Sequence, residues 1–442
     1  MDLDSHISAR IHKHRRPAWA WVSSLFFANE LPWMMASVLA IELLMQLRLD
    51  DSAVTFYVSW LFLPWVFKPL WSAFAHQVSP KHKWIGVLEL LTGTFCVGVA
   101  FAIQAENWLL FTLFFLFVAS LMGAIHSAFA DSLLKVCAEP EDTKFLTALK
   151  IAFNRLSMVF ANGLVIMFVG VLQVIYRNQI RYAWSLVFYI LAGFFIAFFL
   201  LHSRLLPREK GQTIVRKAVI YTILKRHSLA IKALFARRQA IASVVFLCLF
   251  AIPMTLLLPI SQLFLQASGN RGGLALAPQE FGLAYGTVAL SGLFAGAMWS
   301  GTLIKRDGFR RWIWPMAAAM GLPNILYVYL SYAMPTSLLL ITLCLLVVNL
   351  GWGFGLNACV SVISESTEGR HQATFRPLLG AVFMVVQMLS CLASGSMADA
   401  LGYRSFFIVA ALCSVLPFIA TIFICKGEFI GTRIEDNLGE AQ

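Results

Sequence analysis

Long apolar runs separated by short polar stretches make up most of the chain. Each run holds about 20 or more mostly apolar residues, which is the length that a helix needs to cross a hydrocarbon core about 30 Å thick. The pattern therefore predicts an all-α integral membrane protein with twelve transmembrane helices. The predicted spans are 18–46, 53–75, 84–104, 108–136, 146–176, 183–203, 240–268, 278–303, 311–332, 336–362, 373–398 and 401–425.

The composition agrees with this pattern and excludes an ordinary soluble enzyme. The 442 residues are 60% hydrophobic and 13% charged, whereas a soluble domain is about 45–50% apolar and about 25% charged. The sequence has no Walker loop, no HExxH or GxSxG motif and no regular Cys/His spacing, so the common hydrolytic and metal-binding signatures are absent. We expect a protein that is not an enzyme and that uses no cofactor and no metal ion.

Basic residues concentrate in the connections on one side of the predicted membrane, and the formal net charge is +12. Both termini belong to that side, so the positive-inside rule places them in the cytosol. We expect the lipid bilayer, and not nucleic acid, to be the partner of this charge. We also expect no cleavable signal peptide before the first span, because its apolar run is too long. The connections of the opposite side carry Arg48, Arg177, Arg181, Arg271 and Arg404.

A repeated tryptophan motif indicates two related halves. Trp71-Ser72 precedes Trp84 between spans 2 and 3, and Trp299-Ser300 precedes Trp312 between spans 8 and 9 with the same spacing. Chance is the alternative, since Trp is abundant here, but many transporters are built from such repeats. The predicted organisation is a cytosolic tail at 1–17, a six-helix bundle at 18–203, a linker at 204–238, a second six-helix bundle at 239–426 and a cytosolic tail at 427–442.

The linker between the predicted bundles carries ten basic residues and one acidic residue, Glu209. Apolar residues recur at helical spacing between Val215 and Leu224, opposite basic ones. This pattern predicts an amphipathic helix on the anionic cytosolic face of the membrane. Such a helix either only holds the two bundles together or also regulates them.

Three ionisable residues of the first half are predicted to lie near the membrane midplane. Counting about 1.5 Å of rise per residue from the cytosolic helix ends, Glu30 lies roughly 18 Å deep, His126 roughly 15 Å and Arg155 roughly 13 Å. Ionisable groups at this depth are functional candidates by default. Glu30 can exchange a proton if Arg155 pairs with it in one conformation only, and His126 can relay a proton or bind a solute. The alternatives are a static Glu30–Arg155 ion pair and a His126 that is satisfied within the core.

Other charged residues of the first half are predicted to lie nearer the membrane surfaces. Asp131 and Lys68 are close to the cytosolic boundary, where each either takes part in a gate salt bridge or makes a snorkelling contact. Glu42 is about 36 Å along the first helix. We therefore expect Glu42 to be solvated at the outer surface.

The second half replaces charges with amides and glycines. The segment from Trp312 to Ser364 has no charged residue, and its polar side chains include Asn324, Asn349 and Asn357. Amides at these positions either bind neutral groups such as sugar hydroxyls and peptide amides or hold helices together. Three glycines around Trp352 thin one helix face, which suits a close helix or a bulky ligand; they are Gly351, Gly353 and Gly355.

Several motifs resemble one branch of a known transporter superfamily. Gly301, Lys305-Arg306, Gly308 and Arg310-Arg311 resemble the major facilitator superfamily signature between spans 8 and 9, with Lys305 in place of its usual acid. Four further motifs resemble the muropeptide permease (AmpG-type) branch of the peptide, acetyl-CoA and drug transporter group: Glu30-Leu31-Pro32, Phe67 to Ser72, Ala124 to Asp131, and Phe153 to Leu156 followed by Asn162-Gly163. The resemblance implies twelve helices in two pseudo-symmetric six-helix bundles.

The chain departs from that branch at positions that matter for coupling. His76 stands where the span 2 motif ends in an acid, Ser127 replaces the first acid of span 4, and Glu30 replaces the first glycine of the span 1 turn. We therefore expect His76 to serve the gate and Glu30 to serve as the proton carrier.

The sequence thus predicts a proton-coupled importer of a cell-wall-derived amino sugar or muropeptide-like solute, monomeric, in the cytoplasmic membrane of a bacterium, working by alternating access. Alternatives are a permease for another bulky solute such as a siderophore, a drug exporter, or a membrane sensor that transports nothing. Glu30 and Asp131 would carry protons. Arg155 would alternate between a carboxylate and the solute, with His126, Asn324, Asn349 and Asn357 nearby. The expected cytosolic gate residues are Lys68, His76, Lys305, Arg306 and Arg310.

Overall fold

The computed structural model describes residues 18–139, 141–208, 232, 238–367 and 372–426. Both predicted tails, and the amphipathic helix predicted within the linker, lie outside the described residues. Ten helices, α1 to α10, cover most of the described part as far as residue 366. They are Ala18–Gln46, Asp51–Gln77, Lys81–Ala102, Trp108–Cys137, Thr143–Ile175, Ile180–Leu205, Ala240–Gln266, Pro278–Asp307, Phe309–Ala333 and Leu338–Ser366.

The last helical stretch is a pair of helices joined at a glycine. It covers 51 residues, Phe375–Cys425, which is about 77 Å at 1.5 Å per residue and far more than one membrane crossing needs. Gly402 interrupts it with φ 73° and ψ 158°, a conformation that glycine adopts without strain. We name the segments α11 (372–401) and α12 (403–426). The described part of the chain therefore holds twelve membrane-length segments, which confirms the predicted fold class.

Three of the helices contain a π-helical stretch. These stretches are Met35–Leu39 in α1, Phe160–Val165 in α5 and Gly282–Ala289 in α8. A π-turn widens the helix locally and is often found at functional positions. The hydrophobic pattern predicts the three spans but contains no signal for these irregular turns.

The described helices form two compact units. The first consists of the described residues within Met1–Met35, Leu70–Met158 and Trp184–Ile223. Aromatic contacts organise its core, where Trp84 stacks on Phe129 with ring centroids 5.7 Å apart and Phe74 meets both rings edge-on. One tryptophan of the repeated motif, Trp84, is therefore a packing residue.

The second unit combines the rest of the first half with the second half, over Ala36–Pro69, Val159–Ala183 and the described residues of Leu224–Gln442. We call the end of the helices at which α1 finishes the distal end, and the opposite end the proximal end. At the distal end α1 packs on α7, α2 on α11 and α5 on α8. We call this packing the distal contact. The predicted division into bundles at 18–203 and 239–426 stays a prediction. The two compact units differ from these bundles, because the distal contact places the distal parts of α1, α2 and α5 in the second unit.

The three glycines around Trp352 serve close packing between helices of the second unit. A Cβ at Gly351 would meet Ala319 and Pro323 of α9, and one at Gly353 would clash with the backbone of Leu293 in α8. Gly355 faces α9 again, against Met316 and Met320. Of the two uses predicted for this helix face, the structure shows the close helix. Because the glycines have no side chains, α8 and α9 both approach the backbone of α10 closely.

Candidate solute and proton-coupling site

The first unit places an acid and a base of two different helices within electrostatic reach of each other. Glu30 of α1 and Arg155 of α5 are both half-buried, and the Glu30 carboxylate is the charged group that acts on the Arg155 guanidinium. The guanidinium also donates from Nη1 to Sδ of Met158 at 3.9 Å. Neither side chain is fully enclosed by the protein.

A second acid, Glu89 of α3, lies between two histidines. Its Oε1 is 2.6 Å from Nδ1 of His202 in α6 and 3.2 Å from Nε2 of His126 in α4. The outer nitrogen of each ring continues the chain of hydrogen bonds, His202 to Ser24 Oγ at 3.0 Å and His126 to Asn29 Oδ1 at 3.3 Å. Glu89 is 1% exposed, and its Oε2 has no hydrogen-bond partner among the described residues.

This buried network adds Glu89 and His202 to the residues that the sequence singled out. The ring of His126 bonds to Glu89 and to Asn29, the chain neighbour of Glu30, and its predicted role beside Glu30 and Arg155 stays a prediction. The pairing of Glu89 with His202 is not predictable from sequence spacing, since 113 residues separate them along the chain. The available signal was weak: each is a lone ionisable residue within an apolar span.

Asp131 of α4 forms an ion pair with Lys150 of α5. The ammonium of Lys150 also lies 4.9 Å from the ring centroid of Phe26 in α1, an arrangement typical of a cation–π contact. About a quarter of each charged side chain is exposed, so the protein does not fully enclose the ion pair. Nothing in the sequence pattern indicates that Asp131 and Lys150, on two different helices, are partners.

The predicted gate residues of α2 have local partners. Oγ of Ser132 in α4 lies 3.3 Å from Nδ1 of His76. The Lys68 ammonium lies 5.9 Å from the Trp65 ring centroid. The contact of His76 with α4 is consistent with a structural role as well as with a gate role.

The predicted gate residues between α8 and α9 lie around an acid that the sequence analysis overlooked. Asp307 accepts hydrogen bonds from Arg306 at 3.0 Å and from Nε1 of Trp312 at 2.9 Å. Lys305 and Arg310 are exposed on either side. This turn therefore contains an acid, Asp307, two residues after Lys305. Trp312, the last tryptophan of the repeated motif, donates a hydrogen bond to it.

The amides of the second half make hydrogen bonds between and within helices. Asn324 accepts from Nε1 of Trp352 at 2.8 Å and donates to Ser414 Oγ at 3.3 Å, which connects α9 with α10 and α12. Asn357 donates to the carbonyl oxygen of Ala297 at 2.6 Å and to Ser300. Asn349 donates to the Leu345 carbonyl of its own helix at 2.9 Å.

The distal contact contains an ion pair whose acid is buried and whose base is partly exposed. Asp51, at the start of α2, accepts from Nη2 of Arg271 at 3.0 Å and from the Tyr403 hydroxyl at 2.5 Å. Beside it, Asp399 accepts from the Ser52 backbone N–H at 2.8 Å, so an acid of α11 lies at the positive end of α2. These bonds join the first half of the chain to the second.

The basic member of this pair lies in the loop between α7 and α8. Burial by itself would lower the pKa of Arg271, but the nearby charges of Asp51, Tyr403, Asp399 and Asp50 together raise it above its usual value. The guanidinium therefore stays charged. The Arg271 side chain is 45% exposed, against 4% for Asp51. Loss of the ion pair would therefore leave Asp51 as an unpaired buried charge, whereas Arg271 could still be solvated by water.

The prediction that Glu42 is solvated at the outer surface is wrong. Glu42 is 0% exposed, because α7 packs on the distal end of α1. Nε2 of Gln266 donates to its Oε2 at 2.6 Å, and its Oε1 has no hydrogen-bond partner among the described residues. Counting rise along one helix places a residue in depth but contains no information about a neighbouring helix.

The described part of the chain is a bundle of membrane-length helices with charged pairs among them. The chain belongs to the Major Facilitator Superfamily, whose family model matches residues 22–376. Within the described ranges, no group of three or more His, Cys, Asp or Glu side chains is arranged to hold a metal ion.

Solved structures of the same fold resemble the whole described chain. A mutant of the nucleoside transporter NupG has a TM-score of 0.65 at 15% identity, over 92% of this chain and 100% of that one. A bacterial homologue of the human lysosomal transporter Spinster, in an inward-facing unoccupied conformation, has a TM-score of 0.64 at 14% identity, over 92% and 95%. A D-xylose–proton symporter has a TM-score of 0.64 at 12% identity, over 93% and 97%. At these identities the likeness shows the fold.

Proposed function

We propose that this transporter is a proton-coupled importer of a cell-wall-derived amino sugar or muropeptide-like solute in the cytoplasmic membrane of a bacterium. The observation that carries the proposal is the Glu30–Arg155 interaction between α1 and α5. An acid whose basic partner can move to an anionic solute is able to release and rebind a proton. One of the compared structures is described as a D-xylose–proton symporter, so a protein of this fold can couple to protons.

The solute class follows from the chemistry of the half-buried pair and from the resemblance in the first half. Arg155 suits a carboxylate or phosphate group, which a guanidinium binds in two-point fashion. Muropeptides carry carboxylates on a sugar and peptide body. We assign Asn324 and Asn357 to helix packing, because their amide groups are engaged with neighbouring helices.

The orientation belongs to the same proposal. The positive-inside rule puts the proximal end and both termini in the cytosol and the distal end on the outside. Asp131, with Lys150 as its partner, would be a second proton carrier. His76, Lys68, Lys305, Arg306 and Arg310 would then belong to the cytosolic gate, and the working unit would be a monomer.

The test is proton movement in proteoliposomes that contain an internal pH dye. Muropeptides, amino sugars and siderophores are added outside, one at a time. We expect internal acidification with a muropeptide or amino sugar in the wild type. We expect Glu30→Gln to abolish it while exchange of the same solute continues, because the variant keeps the binding site but has no proton to release. Glu106→Gln, at an exposed acid of the loop after α3, is the control and should behave as the wild type.

Other outcomes would replace parts of the proposal. Acidification with siderophores alone would change the solute class. Solute movement without acidification would replace symport by facilitated transport. Binding without any movement would favour a sensor.

A further inference from the structure

Glu42 is a buried acid that has no basic partner among the described residues. Its carboxylate is 0% exposed and accepts one hydrogen bond, from the neutral amide of Gln266. Glu30 interacts with Arg155, Asp131 with Lys150, Asp51 with Arg271 and Glu89 with two histidines. Glu42 thus differs from these four acids of the same half, each of which lies beside a basic group.

Among the described residues, the polar side chains that contact Glu42 or are affected by its charge are an amide and a phenol. The helix α7 presents Gln266, and α8 presents the phenol of Tyr285, on which the Glu42 charge acts. The helix α2 begins at Asp51, whose carboxylate is bound by Arg271 and Tyr403. An ionised carboxylate in such a place is strongly unfavourable unless it is paired, whereas the neutral acid is tolerated.

The place of Glu42 in the fold connects its protonation to a conformational change. It lies in the distal contact, where α1 of the first half meets α7 of the second half. The burial of its carboxylate depends on that contact. A carboxyl group that is buried without a cation only while two halves are closed binds its proton more tightly in the closed state than in the open one.

We propose that Glu42 is a proton-binding site that takes up one proton from the distal aqueous phase when the distal ends of the two halves close. The proposal deepens the proposed function and rests on it, since it adds a coupling proton to the transport cycle. In the open state Glu42 reaches water and exchanges protons. In the closed state the proton stays on the carboxyl group, whose Oε2 accepts from Gln266.

The first experiment detects the proton itself. Infrared spectra of the full-length protein in lipid at pH 7 should contain the C=O stretching band of a protonated carboxylic acid, because water-exposed acids with pKa values near 4 are ionised there. We expect Glu42→Gln to remove this band and Glu106→Gln to retain it. An unchanged band in Glu42→Gln overturns the proposal.

A second variant covers the case in which Glu42→Gln does not fold. Gln266→Ala removes the hydrogen bond that the carboxyl accepts from Gln266, so the frequency of the protonated C=O band should shift. A band at the wild-type frequency in this variant contradicts the assignment to Glu42.

The second experiment measures the link to closure. Spin labels at the exposed positions Asn178 and Thr336, with the accessible native cysteines replaced, report the distance between distal loops of the two halves. If closure binds one proton, the ratio of closed to open molecules should fall as pH rises, by up to tenfold per pH unit. Glu42→Gln should stay closed at every pH, and Glu106→Gln should follow the wild type. A pH dependence that survives in Glu42→Gln overturns the link to closure.

Neither experiment uses a transported solute. A protonated Glu42 with no solute-driven proton flux would therefore refute the proposed function and leave this site in place. Proton-coupled uptake by a protein whose infrared spectrum has no band from protonated Glu42 would support the proposed function and refute the Glu42 site.

Discussion

Two buried asparagines of the second half show how little burial alone says about a polar side chain. Asn324 and Asn349 are 1% and 2% exposed. Asn324 is the acceptor for the indole N–H of Trp352, whereas Asn349 donates to a carbonyl within its own helix. Removal of the first leaves a buried donor without a partner, and removal of the second leaves only a carbonyl in its usual helical environment.

We therefore expect Asn324→Leu to destabilise the protein by about 1–3 kcal/mol, the usual effect of leaving a buried polar group unsatisfied. Asn349→Leu is the matched control and should have a clearly smaller effect. Thermal unfolding of the purified protein in detergent, followed by intrinsic fluorescence, measures both. Equal losses for the two variants would show that the Trp352 hydrogen bond contributes little.

Helix packing in the second unit depends on where glycines allow backbones to approach. The spacing of Gly351 and Gly355 places them on the face of α10 towards α9, while Gly353 faces α8. Small residues at such contacts let backbones approach closely, which drives helix association in lipid. The thin face of α10 is thus an element-scale feature of the fold.

We expect Gly353→Ala to destabilise the protein by about 1–3 kcal/mol, because the added methyl group would meet the backbone of Leu293 and not a side chain that can turn away. Gly193→Ala is the control. A Cβ at Gly193 meets nothing within 4 Å, and alanine favours the helix. The same unfolding assay should rank Gly353→Ala well below Gly193→Ala; similar values for both would contradict the close approach.

At the scale of the whole molecule, the distal contact joins segments that are far apart in sequence. Asp51 and Tyr403 are separated by 352 positions, and their bond is shared with Arg271 of a third segment. In the ion pair of Asp51 with Arg271, the acid is buried whereas the base is almost half exposed. We therefore expect closure of the distal end to depend on the ion pair of Arg271 with Asp51.

We expect Arg271→Ala to shift the distal end towards the open state by about 1–2 kcal/mol. This estimate is discounted from the loss for a fully buried pair, because Arg271 is partly exposed. Asp51→Asn in the same background should restore part of the closed population, because no buried charge is then left unpaired. Distances between spin labels at Asn178 and Thr336 measure the shift.

Arg404→Ala is the control for this prediction. Arg404 lies at the same distal end, where its Nε donates to the Ser331 carbonyl oxygen at 3.1 Å, and no acid is paired with it among the salt bridges of the described residues. If Arg404→Ala opens the distal end as much as Arg271→Ala does, the loss of positive charge is responsible and not the ion pair with Asp51.

The amino-acid sequence by itself determined the class of the protein and the course of its helices. Apolar runs of membrane length must be helical in lipid, where each backbone polar group needs a partner within its own segment. For that reason the twelve spans, including the break near Gly402, were predictable to within a few residues. The superfamily followed from local motifs such as the turn around Gly308.

Only the tertiary structure decided which polar groups meet. His202 beside Glu89, Lys150 beside Asp131 and the burial of Glu42 under α7 all depend on contacts between helices that are distant in sequence. A hydrophobic pattern records which side of a helix avoids water, but it contains no information about the neighbour on that side. Helix packing supplies that neighbour, and with it the environment that distinguishes the buried Glu42 from the paired Glu30.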